Sequence, residues 1–450
     1  MMLCRLKFHK PVRRGRLARS LQLNTAIQHD NMETLYKVNI ERIERDLYEL
    51  RKFGYNPADR GIYRPGLTEP DMEARRWLME QFSANGLETH MDGAGNVIGR
   101  RGAAGKPAIA VGSHSDTVPC GGMFDGALGV IAGLECIRVM NEEGIETENP
   151  IEVISTSEEE GRFGGMLGAQ ALAGALTPDW IERAESADGE LLKEALEKCG
   201  LSSAGVLRSR LSPGALLAFL ELHIEQGPIL DKERIPIGIV EGISGVFKWL
   251  IRLKGKADHA GTAPMNMRSD AFMGLADFAH EIYRIIDENG SDKSRLTIGR
   301  VELKPGYAHT IPGEVDFTLV GRDLDERIMF TLAEACRKVL SSIARKHKLM
   351  FEYEERSWLS PQDCHESVIS AFEESAKQLG LPYKIMPSGA GHDVQFFSKL
   401  MPAGMVFVPS VNGVSHAPDE WTQWEDVENG ANVLLNTLVR LSQQKQLLTA

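Results

Sequence analysis

The chain has 450 residues, 42% hydrophobic and 25% charged, the proportions of a folded globular protein and not of a disordered or fibrous one. Its formal charge of −12 argues against general affinity for nucleic acid or anionic lipid, and no apolar run approaches the roughly 18 residues of a membrane-spanning helix. These exclusions leave an enzyme acting on small molecules as the expectation. The six cysteines (Cys4, Cys120, Cys136, Cys199, Cys336 and Cys364) form no C-x-x-C pair, so neither a thiolate zinc site nor a disulfide framework is expected, and a reducing, cytoplasmic compartment is.

Along the chain, residues 1–31 are basic: Arg5, Lys7, Lys10, Arg13, Arg14, Arg16 and Arg19 all precede the first acid, Asp30. This segment is expected to lie outside the fold, as a transit peptide or, preferably, an over-extended start, because Met32 opens a helical pattern through Val38, Ile40, Ile43, Leu47 and Leu50. The short apolar run Ala108-Ile109-Ala110-Val111 predicts a strand, followed by a loop and a helix from about Asp125 to Met140. A second strand is expected over Ile151–Thr156, a loop over Ser157–Gly165, and a helix over Leu167–Leu176. A third strand runs from Leu216 to Leu222 and ends at His223.

From about Glu241 the texture changes. Strand-like runs at 247–253 and 314–319 flank helical patterns near 269–286 and 325–348, as in an inserted α+β domain. The α/β rhythm then returns with a helix at 367–379, a strand at 405–408 and a helix at 425–442. The expected fold is therefore α/β, a mostly parallel mixed sheet flanked by helices in a discontinuous catalytic domain (32–240 and 359–450), interrupted by a lid or dimerisation domain (241–358). In such sheets, ligands collect at the carboxyl ends of the strands.

Candidate chemistry falls at those ends. His114-Ser115-Asp116 closes the first strand, Asp125 opens the next helix, and Glu158-Glu159-Glu160 closes the second strand. Taken singly, Asp125 reads as a helix N-cap and the glutamates as a solvated loop. Together with His223 and His416 they make a nitrogen and carboxylate set, suited to Zn, Mn, Co or Ni ions and to hydrolysis at a two-metal centre.

Seven stretches carry a more specific likeness: Gly112-Ser113-His114-Ser115-Asp116-Thr117-Val118-Pro119, Gly121-Gly122-Met123-Phe124-Asp125-Gly126, Glu158-Glu159-Glu160-Gly161, Glu221-Leu222-His223-Ile224-Glu225-Gln226-Gly227, Asp258-His259-Ala260-Gly261-Thr262-Ala263-Pro264-Met265, Ser388-Gly389-Ala390-Gly391-His392-Asp393 and Gly413-Val414-Ser415-His416-Ala417-Pro418. In that order, over about residues 35–445, they resemble the N-carbamoyl-L-amino-acid hydrolase and allantoate amidohydrolase family, a branch of the dinuclear metallopeptidase and aminoacylase superfamily.

The resemblance implies two divalent ions per subunit, one held by His114 and His223, the other by Glu160 and His416, with Asp125 bridging. Asp116 would orient His114, and Glu159 would be the general base. Counting from the preceding strand gives this glutamate register; counting back from Arg162-Phe163 gives Glu159 as ligand and Glu158 as base. The strand side is preferred because a loop absorbs a deletion more easily. His259 would reach the active site of a partner subunit and stabilise the oxyanion, Arg322 would pair with a substrate carboxylate, Gln226 and Gly391 would contact substrate, and His392 would support the site. His309 stands where the family usually has Asn, Val320 where it commonly has Asp, and Cys120 where Asn is frequent, so the substrate is not transferred by likeness. The implied reaction is hydrolysis of the carbamoyl C–N bond of an N-carbamoyl-L-amino acid (a ureido acid) to amino acid, CO2 and ammonia, by a homodimer without nucleic-acid or membrane partners. Allantoate or ureidoglycolate hydrolysis, or an aminoacylase or peptidase activity, is the alternative.

Overall fold

The structure, a computed structural model, describes residues 34–444; the basic segment 1–31 lies outside the described residues. The chain opens with α1 (Ile40–Arg51), α2 (Glu69–Ala84) and an antiparallel pair, β1 (Glu88–Met91) and β2 (Val97–Arg101). Then come β3 (Ala108–His114), α3 (Ala127–Glu142), β4 (Ile151–Thr156) and α4 (Leu167–Ala173). Short helices α5 (Pro178–Arg183), α6 (Leu192–Lys198) and α7 (Ser203–Arg208) precede β5 (Leu216–Ile224), α8 (Ile229–Glu233) and β6 (Ile237–Ile243). A second set follows: β7 (Gly245–Lys254), β8 (Asp258–His259), α9 (Ala271–Asn289), β9 (Arg295–Lys304), β10 (Thr310–Ile311), β11 (Glu314–Asp323), α10 (Glu326–His347) and β12 (Met350–Leu359). The chain closes with β13 (Gln362–Asp363), α11 (Glu366–Gln378), β14 (Tyr383–Ser388), α12 (Val394–Phe397), β15 (Ala403–Val408) and α13 (Trp424–Ser442).

The larger sheet has the order β1-β2-β4-β3-β5-β15-β6-β13, with β14 also paired to β6. Its centre, β4-β3-β5-β15, is parallel, while the β2–β4 and β15–β6 pairings are antiparallel. All positions of β3 are buried, as required of a strand covered by helices on both faces. One face packs on α1, α3, α11 and α13 around Phe124, Leu134 and Leu438; the other packs on α4, α8 and α12 around Phe219, Phe397 and Phe407. Phe219 and Phe397 stack there with centroids 4.1 Å apart. The smaller sheet, β12-β7-β11-β9, buries alternate residues of β7 and β11 against α9 and α10 around Phe247, Phe278, Phe317 and Leu332, the period-2 pattern of a sheet with one covered face.

Several element ends differ from the sequence expectation. The first helix starts at Ile40, not Met32: Asn39 caps it, and residues 34–39 are non-helical. The backbone N–H groups of Tyr36 and Val38 donate instead to Asn436 and Asn432 of α13, at 3.0 and 2.8 Å. These bonds outweigh the continuing apolar periodicity. Helix α4 stops at Ala173, before Leu176, because Gly174 adopts φ 66°, the left-handed end common in helices. Asp125 is not an N-cap: α3 begins at Ala127 after Gly126, with no side-chain cap.

Candidate active site

Parallel pairing brings three loops to one edge of the sheet. Thr156, the last residue of β4, is in register with His114, the last of β3, so the glutamates that follow Thr156 emerge beside that histidine. His223 lies one residue before the end of β5, Asp125 enters just before α3, and His416 comes from the loop before α13. A cavity of about 480 Å³ forms there, lined by His114, Asp125, Glu159, Glu160, His223, Gln226, Gly391, His392, Ser415 and His416, and by Arg322 from β11.

Asp125 organises the cavity. Its Oδ1 lies 3.1 Å from His223 Nε2 and 3.6 Å from His114 Nε2. Its Oδ2 lies 3.2 Å from His416 Nε2, which is in turn 3.4 Å from Glu160 Oε2. The two carboxylate oxygens thus face two separate ligand groups, His114–Asp125–His223 and Asp125–Glu160–His416. Ligand atoms at 2.0–2.2 Å from a tetrahedral cation are separated by roughly 3.4 Å, the spacing found here. Glu160 Oε1 is buried without a hydrogen-bond partner, a costly state that a cation relieves. The residues therefore fit a pair of divalent ions.

The imidazoles are oriented by carbonyls: His114 Nδ1 to Asp116 O at 3.1 Å and His223 Nδ1 to Ile224 O at 2.9 Å. Donation from Nδ1 leaves Nε2 free to act as a ligand. Here the structure departs from the expected part of Asp116, whose carboxylate is 3.8 Å from His114 Nδ1. It accepts the backbone N–H groups of Glu159 and Glu160 instead, each at 3.2 Å. Asp116 thus orders the glutamate loop through its side chain and His114 through its main chain. Behind it, buried Arg75 ion-pairs with Asp71 at 2.9 Å and approaches Asp116 at 3.9 Å. Of the three glutamates, Glu159 lies 3.6 Å from His114 Nε2 and Glu160 faces His416. Glu158 is turned away, its carboxylate accepting the N–H of Phe163 at 2.6 Å. Gly126, at φ 62°, is needed for this packing, since a Cβ there would lie 2.4 Å from the His114 ring.

The buried charges perturb one another strongly. Burial opposes ionisation of Asp125, but hydrogen bonds from His114, His223 and His416 hold its carboxyl well below the usual range. Burial and then the Asp125 charge push Glu160 up to about 7. Glu159 is raised well above the carboxylate range by burial and by Glu160, Asp393 and Asp116, against the pull of His114. The hydrogen bond to Asp125 raises His416 to about 9, whereas burial and the neighbouring His223 hold His392 well below the usual imidazole value. His392 sits edge-on to His223, with centroids 4.6 Å apart, and its Nε2 is 2.9 Å from Ser388 Oγ. Perturbed groups gathered in one cleft mark a functional site.

The smaller sheet supplies Arg322, half-buried, to the same cavity. His259 and His309 do not line it: both are exposed, His259 on the β8–β10 ladder, where it pairs with Thr310, and His309 just before β10. His259 Nδ1 accepts the N–H groups of Gly261 and Thr262 at 3.0 and 3.2 Å. Gln226 Nε2 donates to Asp125 Oδ2 at 2.8 Å, and its Oε1 is buried without a partner. Sequence reasoning missed Ser415 and Glu420, which contact Asp125 or its backbone; the one available signal is that Glu420 follows His416 by a single turn-forming stretch.

A family model described as peptidase family M20/M25/M40 matches residues 110–440. An N-carbamoyl-L-amino-acid amidohydrolase from Paenarthrobacter aurescens is 39% identical over 412 residues, 91% of this chain and 99% of the relative. An allantoate amidohydrolase from Bacillus subtilis (strain 168) is 32% identical over 411 residues, 90% of this chain and 99% of the relative. The crystal structure of an amidase of the hydantoinase/carbamoylase family from Burkholderia multivorans superposes with a TM-score of 0.85 at 35% identity, covering 91% of this chain and 99% of that one. The chain belongs to peptidase family M20/M25/M40 and, within it, to the hydantoinase/carbamoylase-type amidases.

Proposed function

We propose that the protein hydrolyses the carbamoyl C–N bond of N-carbamoyl-L-amino acids, releasing the amino acid, CO2 and ammonia. The observation that carries this reading is the buried Asp125 carboxylate, each oxygen of which faces its own histidine-containing ligand group. His114, His223 and Asp125 would hold one divalent ion (Zn, Mn, Co or Ni), and Asp125, Glu160 and His416 a second. When bound, the ions supply a Lewis acid for the ureido carbonyl and lower the pKa of water.

The remaining work falls to the chain's own side chains. Arg322, in the same cavity, takes the substrate carboxylate in a bidentate pair. The unpartnered Oε1 of Gln226 accepts a ureido N–H, and the backbone at Gly391 lets the substrate approach closely. Glu159 takes a proton from the attacking water and returns it to the departing amino nitrogen; it lies 3.6 Å from His114 Nε2, at the edge of the first ligand group. His259 presents a free Nε2 on an exposed ladder outside its own cavity, so it serves the cavity of a second copy as an oxyanion donor, with His309 beside it. Residues 241–358 then act as lid and dimerisation domain. The described cysteines are all free, in keeping with a reducing cytoplasm, and no helix among the described residues is long and apolar enough to cross a membrane.

A ureido-acid panel tests the reading. N-carbamoyl-L-amino acids should release ammonia and free amino acid, and metal-depleted protein should not. Turnover of allantoate alone would move the assignment to the second reading, to which the 32% identity to an allantoate amidohydrolase points less strongly than the 39% identity to an N-carbamoyl-L-amino-acid amidohydrolase points to the first. Turnover only of N-acetyl amino acids or dipeptides would overturn both. Mixing His259→Ala with Glu159→Gln protein tests the shared site: activity should partly return, and its absence removes His259 from the partner's cavity.

A further inference from the structure

The two ligand groups are built to different standards. His114 and His223 sit on β3 and β5, 2% and 1% exposed, each ring fixed by a carbonyl. The His416 side chain is 50% exposed, stands in an irregular loop at φ 54°, and among the described residues has no such carbonyl partner. Something else must hold it opposite Asp125.

The contacts of Glu420, only 3% exposed, supply that hold. Its Oε1 accepts the N–H groups of Phe124 and Asp125 at 2.9 and 3.1 Å. Its Oε2 accepts the hydroxyl of Ser415, next to His416, at 2.9 Å. Ser415 Oγ is also 3.2 Å from Asp125 Oδ2, and the Glu420 N–H closes a turn onto Ala417 O at 3.0 Å. The chain leaves room for this carboxylate at Gly122, where a Cβ would lie 2.3 Å from Glu420 Oε1. Both oxygens of a buried carboxylate are thus spent joining two loops that are far apart in sequence.

We propose that Glu420 is a positioning residue that locks the His416 loop to the Asp125 loop and so forms the more exposed of the two ion sites. The inference rests on the two-ion reading above. A carboxylate that merely braced the fold would affect both sites alike; the lock acts more strongly on the site that includes His416, because it holds that loop as well as the shared Asp125.

Metal-depleted full-length protein, titrated calorimetrically with Zn²⁺ and assayed for bound metal after dialysis, separates these cases. Wild type should bind two ions per chain. Glu420→Ala should weaken the ion at Glu160 and His416 by about 10–100-fold, the usual cost of losing a partner that orients a ligand, and weaken the ion at His114 and His223 less, through the Asp125 loop that both share. Glu420→Gln keeps the acceptor for the two N–H groups and should restore most of the loss. Ser415→Ala, which removes one hydroxyl, should weaken the same ion and carries the test if Glu420→Ala does not fold. Equal weakening of both ions, or of neither, would overturn the lock. Fewer than two ions in wild type would overturn the two-ion reading itself, and the lock with it.

Discussion

The large and the small sheet treat their functional residues in opposite ways. In the large sheet, β3 is buried along its whole length, and the groups at the carboxyl edge are fixed locally, His114 and His223 by carbonyls one or two residues on and the Glu159 N–H by the Asp116 carboxylate. In the small sheet, β9 and β12 are largely exposed, and its contribution to the cavity is one half-buried arginine, while the exposed His259 lies on the separate β8–β10 ladder. The difference assigns roles. Precision of a few tenths of an ångström, needed for metal ligands and a base, belongs to the element covered on both faces. On the proposed reading, capture of substrate falls to the more exposed element, through Arg322.

This contrast can be broken at three levels. Glu159→Gln, in the rigid edge, should lower kcat by about 10²–10⁴-fold, the usual share of a general base, with metal content unchanged; retained turnover, or loss of metal, would remove Glu159 from that part. Arg322→Met should act on binding instead. Loss of a charged hydrogen-bonded pair worth about 1.5–3 kcal/mol should raise KM for carboxylate substrates and leave kcat nearer to wild type, and a pure kcat effect would contradict the division of labour. The smallest effect is expected on the solvent face of the small sheet, where Arg252 donates to Asp316 at 2.5 Å. That hydrogen bond lowers the Asp316 carboxyl to about 2. A folded-state value below the unfolded one gives stability that is present above the ordinary carboxyl value of 3.8 and is lost as pH falls toward 2. Because the partners Arg252 and Lys304 are 38% and 44% exposed although Asp316 itself is only 12% exposed, Asp316→Asn should cost about 1 kcal/mol at neutral pH, and the difference between the two proteins in denaturant titrations should shrink on acidification.

The sequence was most informative where burial is most complete. Short apolar runs marked β3, β4 and β5, and because parallel strands share an edge, His114, Asp125, the triplet Glu158-Glu159-Glu160 and His223 could be placed at one edge, while the choice of Glu160 within the triplet came with the family resemblance. Strands β9 and β12 escaped notice because their alternation is short and weakly buried: Arg295-Leu296-Thr297-Ile298 alternates, but the pattern breaks at Gly299-Arg300 and no position of either strand is fully buried. The start of α1 was misplaced because apolar periodicity cannot register that Asn432 and Asn436, some 400 positions away, take the preceding N–H groups. The side chain of Asp116 holds backbone and Glu420 holds backbone and a hydroxyl; such partners leave no residue pattern at the other end of the bond, so neither contact was legible.

The central claim is the shared carboxylate, and crystals soaked in Zn²⁺ or Mn²⁺ test it most directly. The account predicts two anomalous peaks about 3.5–4 Å apart, one on each side of Asp125, the first against His114 and His223 and the second against Glu160 and His416. A single peak, or two that do not flank the Asp125 carboxylate, would contradict it.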